Sequence, residues 1–238
     1  MELQELEQLV RERNVTLSTA FPALMRKVYV WMTMALGITA LSAYGVASNP
    51  NMLQLIYGNS MVIWLLIIAE LGLVMYTTAR IDRLSLTTAT TLFVIYSALN
   101  GITLSSVFLA YAMTTIGQVF VITAGTFAAM AAYGYFTKTD LSKIGNILFM
   151  ALIGLVIATL VNLFMKSAML DMVLSYIGVL IFVGLTAWDS QKIKVMLATR
   201  QDVGETSQKI ALMGALTLYL DFINLFLYLL RIFGRGND

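Results

Sequence analysis

Apolar positions dominate this chain in long unbroken runs, and the polar residues collect between them. A helix that crosses a bilayer needs about 20 predominantly apolar residues. Seven stretches approach or exceed that length: residues 28–46, 61–78, 86–113, 119–136, 144–165, 172–189 and 210–232. The third is long enough to tilt or to extend beyond the bilayer. The links between runs are short and carry Gly, Asn, Asp and Ser, with nothing resembling a linker between domains. The pattern predicts an all-α integral membrane protein. It comprises a polar N-terminal segment (1–27), one seven-helix transmembrane domain (28–232) and a short C-terminal tail (233–238). In the first segment Leu3, Leu6 and Val10 share a face, which suits either a helix lying on the membrane surface or a solvated tail.

Composition narrows the chemistry. The chain is 59% hydrophobic and 12% charged, against about a quarter charged in soluble domains. A net charge of +2 without a basic block gives no reason to expect nucleic acid as a partner. There is no Cys and no His, which removes disulfides, thiolate zinc sites, Fe–S clusters, His-ligated haem and His-based acid–base catalysis. Any titrating switch must use Asp, Glu, Lys or Tyr. Two prolines leave long helices uninterrupted, and the 15 methionines fit gap-filling in a core better than metal binding. Orientation follows from the basic residues: 12 of the 15 Lys and Arg fall in the N-terminal segment and the even-numbered links. Only Lys166, Arg231 and Arg235 fall on the other side. The positive-inside rule then puts the N-terminus in the cytoplasm and the C-terminus outside.

Three carboxylates interrupt the apolar runs: Glu70, Asp189 and Asp221. A mid-helix Asp costs about 2.5–3.5 kcal/mol on insertion scales, so such residues face a partner or a wet cavity. Asp221 lies near the middle of the last run, on a stripe with Gly214, Thr217, Asn224, Tyr228 and Arg231. The reverse face carries Leu216, Leu220, Ile223, Leu227 and Leu230. Lipid cannot satisfy the stripe, so it is expected to face the bundle interior. Asp189 closes the sixth run, near the predicted cytoplasmic face and the level of Arg80. Ordinary interfacial snorkelling accounts for Asp189 and Arg80 equally well. Small residues in the fourth run (Ala124, Gly125, Ala128, Ala129, Ala132) and the third (Ser97, Gly101, Ser105) predict close helix packing.

Several stretches resemble a known family. "FVGLTAWDSQKIKVM" and "GALTLYLDFINLFLYLLRIFG" are similar to the last two helices of bacterial Bax inhibitor motif (transmembrane Bax inhibitor, lifeguard-like) proteins. "NGITLSSVFLAY", "AAYGYFTKTDLSKIG" and "MRKVYVWM" resemble segments at the third, fourth and first helices. The likeness runs from about Met25 to Gly234. It implies seven helices with the last one central between two groups of three, and a pH-sensitive calcium leak across the bacterial inner membrane. Asp189 and Asp221 match the family's paired aspartate sensor. Arg80 is the best match to its arginine latch, with Arg83 three residues on, and Glu70 matches an acid along the ion path. Thr217, Asn224 and Tyr228 would support the pair, and the three acids would offer a weak calcium site. The link "MLATRQDVGETSQK" resembles the branch in which some members restrain a membrane-bound ATP-dependent protease. No cofactor is expected, and calcium enters as the transported ion.

The physics of such a pair is general. Two carboxylates in contact in low dielectric cannot both ionise cheaply, so they tend to share one proton. No EF-hand spacing occurs, so any calcium site must assemble between helices. Rival readings fit less well. A retinal protein needs a mid-helix Lys in the last span, where Asp221 stands. An enzyme has neither a G-x-S-x-G turn nor the Gly-x-Gly-Asp of intramembrane aspartyl proteases. A proton-coupled carrier would also use buried acids. A non-conducting regulator that holds a protease is the main alternative to a leak.

Overall fold

The computed structural model of the protein describes residues 3–200 and 202–234, with side chains described from residue 20 onward apart from residue 201. Every regular element among the described residues is a helix: α1 (Leu3–Ala47), α2 (Pro50–Tyr57), α3 (Ser60–Arg80), α4 (Leu86–Leu104), α5 (Val107–Ala110), α6 (Met113–Phe136), α7 (Ser142–Met165), α8 (Ala168–Ala198) and α9 (Glu205–Phe233). Seven helical stretches are long and apolar enough to cross a membrane. Each contains or overlaps one of the seven predicted runs.

The differences lie at the ends. The helix carrying the first span, α1, begins at Leu3, well ahead of the apolar run. Ala20, Leu24 and Val28 form a buried stripe at helical spacing where it enters that run. The backbone of the polar segment continues the same helix from Leu3, while the Leu3, Leu6 and Val10 side chains lie outside the described residues. Pro22 sits inside α1, and Pro50 opens α2 at a first-turn position where its missing N–H costs nothing. α2 was hidden in a polar link; Asn49 caps it by accepting from the Asn51 and Met52 amides. The long third run is broken at Ser105–Ser106, ending α4 and starting the short α5. Serine side chains compete for backbone partners and weaken a helix interior. α8 runs nine residues past Asp189, so that acid lies inside the helix and does not close it.

Packing divides the chain into two compact units. The first comprises Met1–Thr103 with Ile193–Leu216. There Gly101 lets α4 approach α1 so closely that a Cβ would stand 2.4 Å from the Thr39 carbonyl oxygen. The Thr39 hydroxyl donates to the Ser97 carbonyl at 2.9 Å. The Ser97, Gly101, Ser105 face is buried, as its small residues predict. The start of α9 clasps the α3–α4 link. Glu205 accepts from the Leu86 amide at 2.9 Å, and Lys209 donates to the Leu84 and Asp82 carbonyls at 3.0 and 3.3 Å. Ser85 caps the same helix start by accepting from the Thr88 amide.

The second unit comprises Leu104–Lys192 with Thr217–Asp238. Here the sequence expectation for the fourth run is corrected. Gly125, Ala128, Ala129 and Ala132 are exposed, and α6 instead buries Thr115, Val119, Thr123, Phe127, Ala131 and Gly134. Small residues can pack closely but do not fix the face; the stripe carrying Phe127 removes more apolar surface. Phe120 and Phe127 meet Phe222 of α9 at centroid distances of 5.4 and 5.5 Å. Two-thirds of the α9 span is buried, against 6% for α3 and α7. The last helix is thus the most buried of the seven spans.

Candidate functional site

The residues around Asp189 hold α8 in place from several directions. Ala187 packs on α6 where Gly134 leaves room, a Cβ there falling 2.0 Å from the Ala187 carbonyl oxygen. The Ser190 hydroxyl donates to the Ala131 carbonyl at 2.8 Å. Trp188 lies against Gly145 of α7, where a Cβ would come within 2.2 Å of the indole. Gln191 accepts from the Leu141 amide and donates to the Thr139 carbonyl, both at 2.8 Å, tying down the link before α7. On α9, Phe222 is fixed among the α6 phenylalanines, and Asn224 donates back to the Leu220 carbonyl at 2.8 Å.

Between these supports Asp189 of α8 and Asp221 of α9 come together, close enough to act on each other electrostatically. The two residues are 7% and 5% exposed, deep enough that water cannot carry the charge alone. Two carboxylates so placed in low dielectric cannot both ionise cheaply. Asp221 Oδ2 is buried and finds no donor among the described residues. Lys192, one turn from Asp189, acts on it electrostatically, and its ammonium stands 4.9 Å from the centre of the Trp188 ring.

The pair borders a cavity of about 650 Å³ lined by α7, α8 and α9. Its polar lining consists of Asn146, Lys192, Thr217 and Asn224 beside the two acids; Phe149, Leu152, Val156 and Phe182 supply apolar walls. Thr217, Asp221 and Asn224 of the α9 stripe therefore line a cavity, and so does Leu220 from the face expected to lie opposite. Thr217, Asn224 and Tyr228 are only partly covered, while Leu216, Ile223 and Leu230 on the reverse face are buried. Tyr228 is not part of the lining. It stacks on Phe182.

The other sequence candidates, Glu70 and Arg80, belong to the first unit. Glu70 is 9% exposed in the first unit. It accepts from the Thr103 hydroxyl and from the Asn100 side-chain amide, the latter at 3.2 Å. Arg80 ends α3 in that same unit and is exposed. Among the described residues no group of three or more Asp and Glu is placed to hold a metal ion. Sequence reasoning missed Lys192, Trp188, Gln191 and Asn146. The first three were visible within one turn of Asp189 in "TAWDSQK", where a cation, an indole and an amide flank an intramembrane acid.

Comparison with known proteins identifies the family. The family model described as "Inhibitor of apoptosis-promoting Bax1" matches residues 22–238. Inner membrane protein YbhL of Escherichia coli strain K12 is 52% identical over 213 residues, covering 89% of this chain and 91% of that protein. A protein of Borreliella burgdorferi is 46% identical over 215 residues, covering 90% and 93% of the two chains. Protein RP147 of Rickettsia prowazekii is 42% identical over 228 residues, covering 95% of each. With a family match across most of its length and relatives of this identity and coverage, the chain belongs to the Bax inhibitor-1 family of membrane proteins.

Proposed function

We propose that the protein is a pH-sensitive calcium leak of a bacterial inner membrane, closed by the Asp189–Asp221 carboxyl pair. The observation that carries this reading is two buried carboxyl groups, Asp189 and Asp221, lining one cavity in an otherwise apolar bundle. Two unit charges about 3 Å apart repel by on the order of 5 kcal/mol at an effective dielectric of about 20. Loss of the shared proton therefore favours separation of α8 and α9, or arrival of a cation. Calcium suits the site because it takes several oxygens in irregular geometry. The carboxylates, the Thr217 hydroxyl and the amide oxygens of Asn146 and Asn224 are of that kind. Glu70 is assigned to the ion path, and Arg80 to a latch that joins the pair in one gating state. The N-terminus lies in the cytoplasm, motivated by the basic-residue bias.

The sign of the pH response follows from linkage. Closure holds the proton, so closure is favoured at low pH and calcium flux grows as pH rises through the range where the pair releases it. The test is calcium uptake into dye-loaded proteoliposomes across a pH series. Asp189→Asn and Asp221→Asn should each flatten the profile, and the double variant should add little, because the pair acts as a unit. Additive effects, or an unchanged profile in either single variant, would remove the shared-proton sensor. Flux equal to that of protein-free vesicles at every pH would leave the non-conducting regulator as the reading. A reporter fused after Asp238 should be active only outside the cytoplasm.

A further inference from the structure

The α8–α9 face continues beyond the carboxyl pair, toward the start of α8 and the end of α9. The cavity lining reaches Phe182 and Asn224. One turn past Asn224, the Tyr228 ring stacks on Phe182 with centroids 5.8 Å apart and planes 26° from parallel. Gly178, one turn before Phe182 on α8, meets the same ring, and a Cβ there would stand 2.7 Å from three ring carbons. Only glycine lets tyrosine rest so directly on the α8 backbone. The Arg231 guanidinium stands 5.4 Å from the Tyr228 ring centre. Its Nη1 lies 3.7 Å from Asp171 Oδ1. Asp171 occupies the first turn of α8 and Arg231 the last turn of α9, the ends at which the helix dipoles favour each charge. At 1.5 Å per residue, Phe182 is about 10 Å along α8 from Asp189.

We propose that this column is a second gate at the far end of the cavity: Tyr228, seated on α8 against Phe182 and Gly178 and held by the Arg231–Asp171 pair, must leave its slot before an ion can pass. The inference rests on the leak reading and extends it to residues remote from the carboxyl pair. Aromatic stacking excludes water from the slot, whereas the ion pair is partly exposed and therefore easily broken. The gate thus combines a tight apolar wedge with a weak polar catch.

Chain composition makes the test clean, because the protein contains no cysteine. A Cβ at position 178 would lie 2.7 Å from Tyr228 Cγ. Adding a C–C bond of about 1.5 Å leaves the two Cβ atoms at most about 4.2 Å apart, within the disulfide range of about 3.5–4.5 Å. The full-length Gly178→Cys/Tyr228→Cys variant should therefore crosslink on oxidation. Reconstituted with a calcium dye, its reduced form should leak several-fold faster than the parent at the pH of least parental flux, because the wedge is gone. Oxidation should drop flux below the parent at every pH, and dithiothreitol should reverse this. Tyr228→Leu, which needs no engineered thiols, should also raise flux several-fold at that pH while keeping the parental pH slope. Crosslinked protein that conducts like its reduced form overturns the gate. So do thiols that fail to crosslink, or parental flux in Tyr228→Leu. A parent with no calcium flux at any pH overturns the leak reading and the gate together. A pH-dependent parent with an inert column overturns the gate alone.

Discussion

Glycine-to-alanine substitution at two positions of α6 should have opposite effects, and the structure supplies the magnitudes. At Gly134 the added Cβ would stand 2.0 Å from the Ala187 carbonyl oxygen, with Ala187 C and Cα at 2.8 and 3.0 Å. Carbon–oxygen contacts between helices settle near about 3.3 Å, so α6 and α8 must part by about 1.3 Å. All three obstructing atoms are backbone and cannot rotate away. The Ser190 hydroxyl, now 2.8 Å from the Ala131 carbonyl, would be carried beyond hydrogen-bond range. Overpacking costs about 1–3 kcal/mol and the lost bond about 0.5–1.5 kcal/mol, giving about 1.5–4.5 kcal/mol in all. Gly125 on the same helix has nothing within 4 Å of its Cβ position. There alanine should stabilise by about 0.5–1 kcal/mol through the backbone entropy glycine would lose. Reversible unfolding in mixed detergent micelles measures both. Because Asp189 sits between Ala187 and Ser190, Gly134→Ala should also disturb the carboxyl pair and alter the pH profile of flux. Equal unfolding midpoints for the two variants would refute the reasoning, since the chemical change is the same and only the surroundings differ.

Lys166, with φ of 51°, ends α7 in the left-handed region that costs a non-glycine residue about 1–2 kcal/mol. Lys166→Gly should recover on the order of 1 kcal/mol in the same unfolding assay. Glu205→Ala removes the acceptor for the Leu86 amide and should cost about 1 kcal/mol, with faster hydrogen exchange at Leu86 as the specific signature. In the link before α7, hydrogen bonds from the Ser142 side chain and amide hold the exposed Asp140 carboxyl below its ordinary range. A depressed carboxyl stabilises the fold above its unfolded value and loses that contribution as pH falls through the folded one. Asp140→Asn should therefore flatten stability only on the acid limb, and NMR titration of the side chain should show the low midpoint directly.

The membrane spans were legible because lipid imposes a coarse rule that composition alone must obey: backbone groups pair within a helix and apolar side chains cover it. Span ends obey a subtler rule. The tail of α8 alternates Lys192 and Lys194 with buried Ile193 and Leu197, so packing extends the helix where hydropathy has already fallen. The partnership of Asp189 and Asp221 came from resemblance and from the rarity of acids in such helices. Neither helix records in its own periodicity which residue of the other it will meet. The small residues of α6 misled because Gly125 and Ala128 permit an approach without supplying the buried area that selects a face. The Glu205 and Lys209 clasp was invisible for another reason. It joins residues more than a hundred positions apart through backbone carbonyls and amides, which every residue type carries.

Trp188 gives the molecule an optical consequence of its packing. Its indole is held against Gly145, lies 4.9 Å from the Lys192 ammonium and neighbours Asp189 in sequence. An excited indole shifts charge from its pyrrole to its benzene ring, so its emission colour responds to nearby fixed charge. Trp188, Asp189 and Asp221 line the same cavity, so on the proposed function deprotonation of the pair adds a charge on the indole's own cavity wall, while contact with Gly145 keeps the ring from reorienting to average it out. With Trp31 and Trp64 replaced by Phe, the protein would carry one tryptophan, next to Asp189 in sequence, and if the proposed function holds the colour of its emission would report the state of the pair in an intact membrane without any added label.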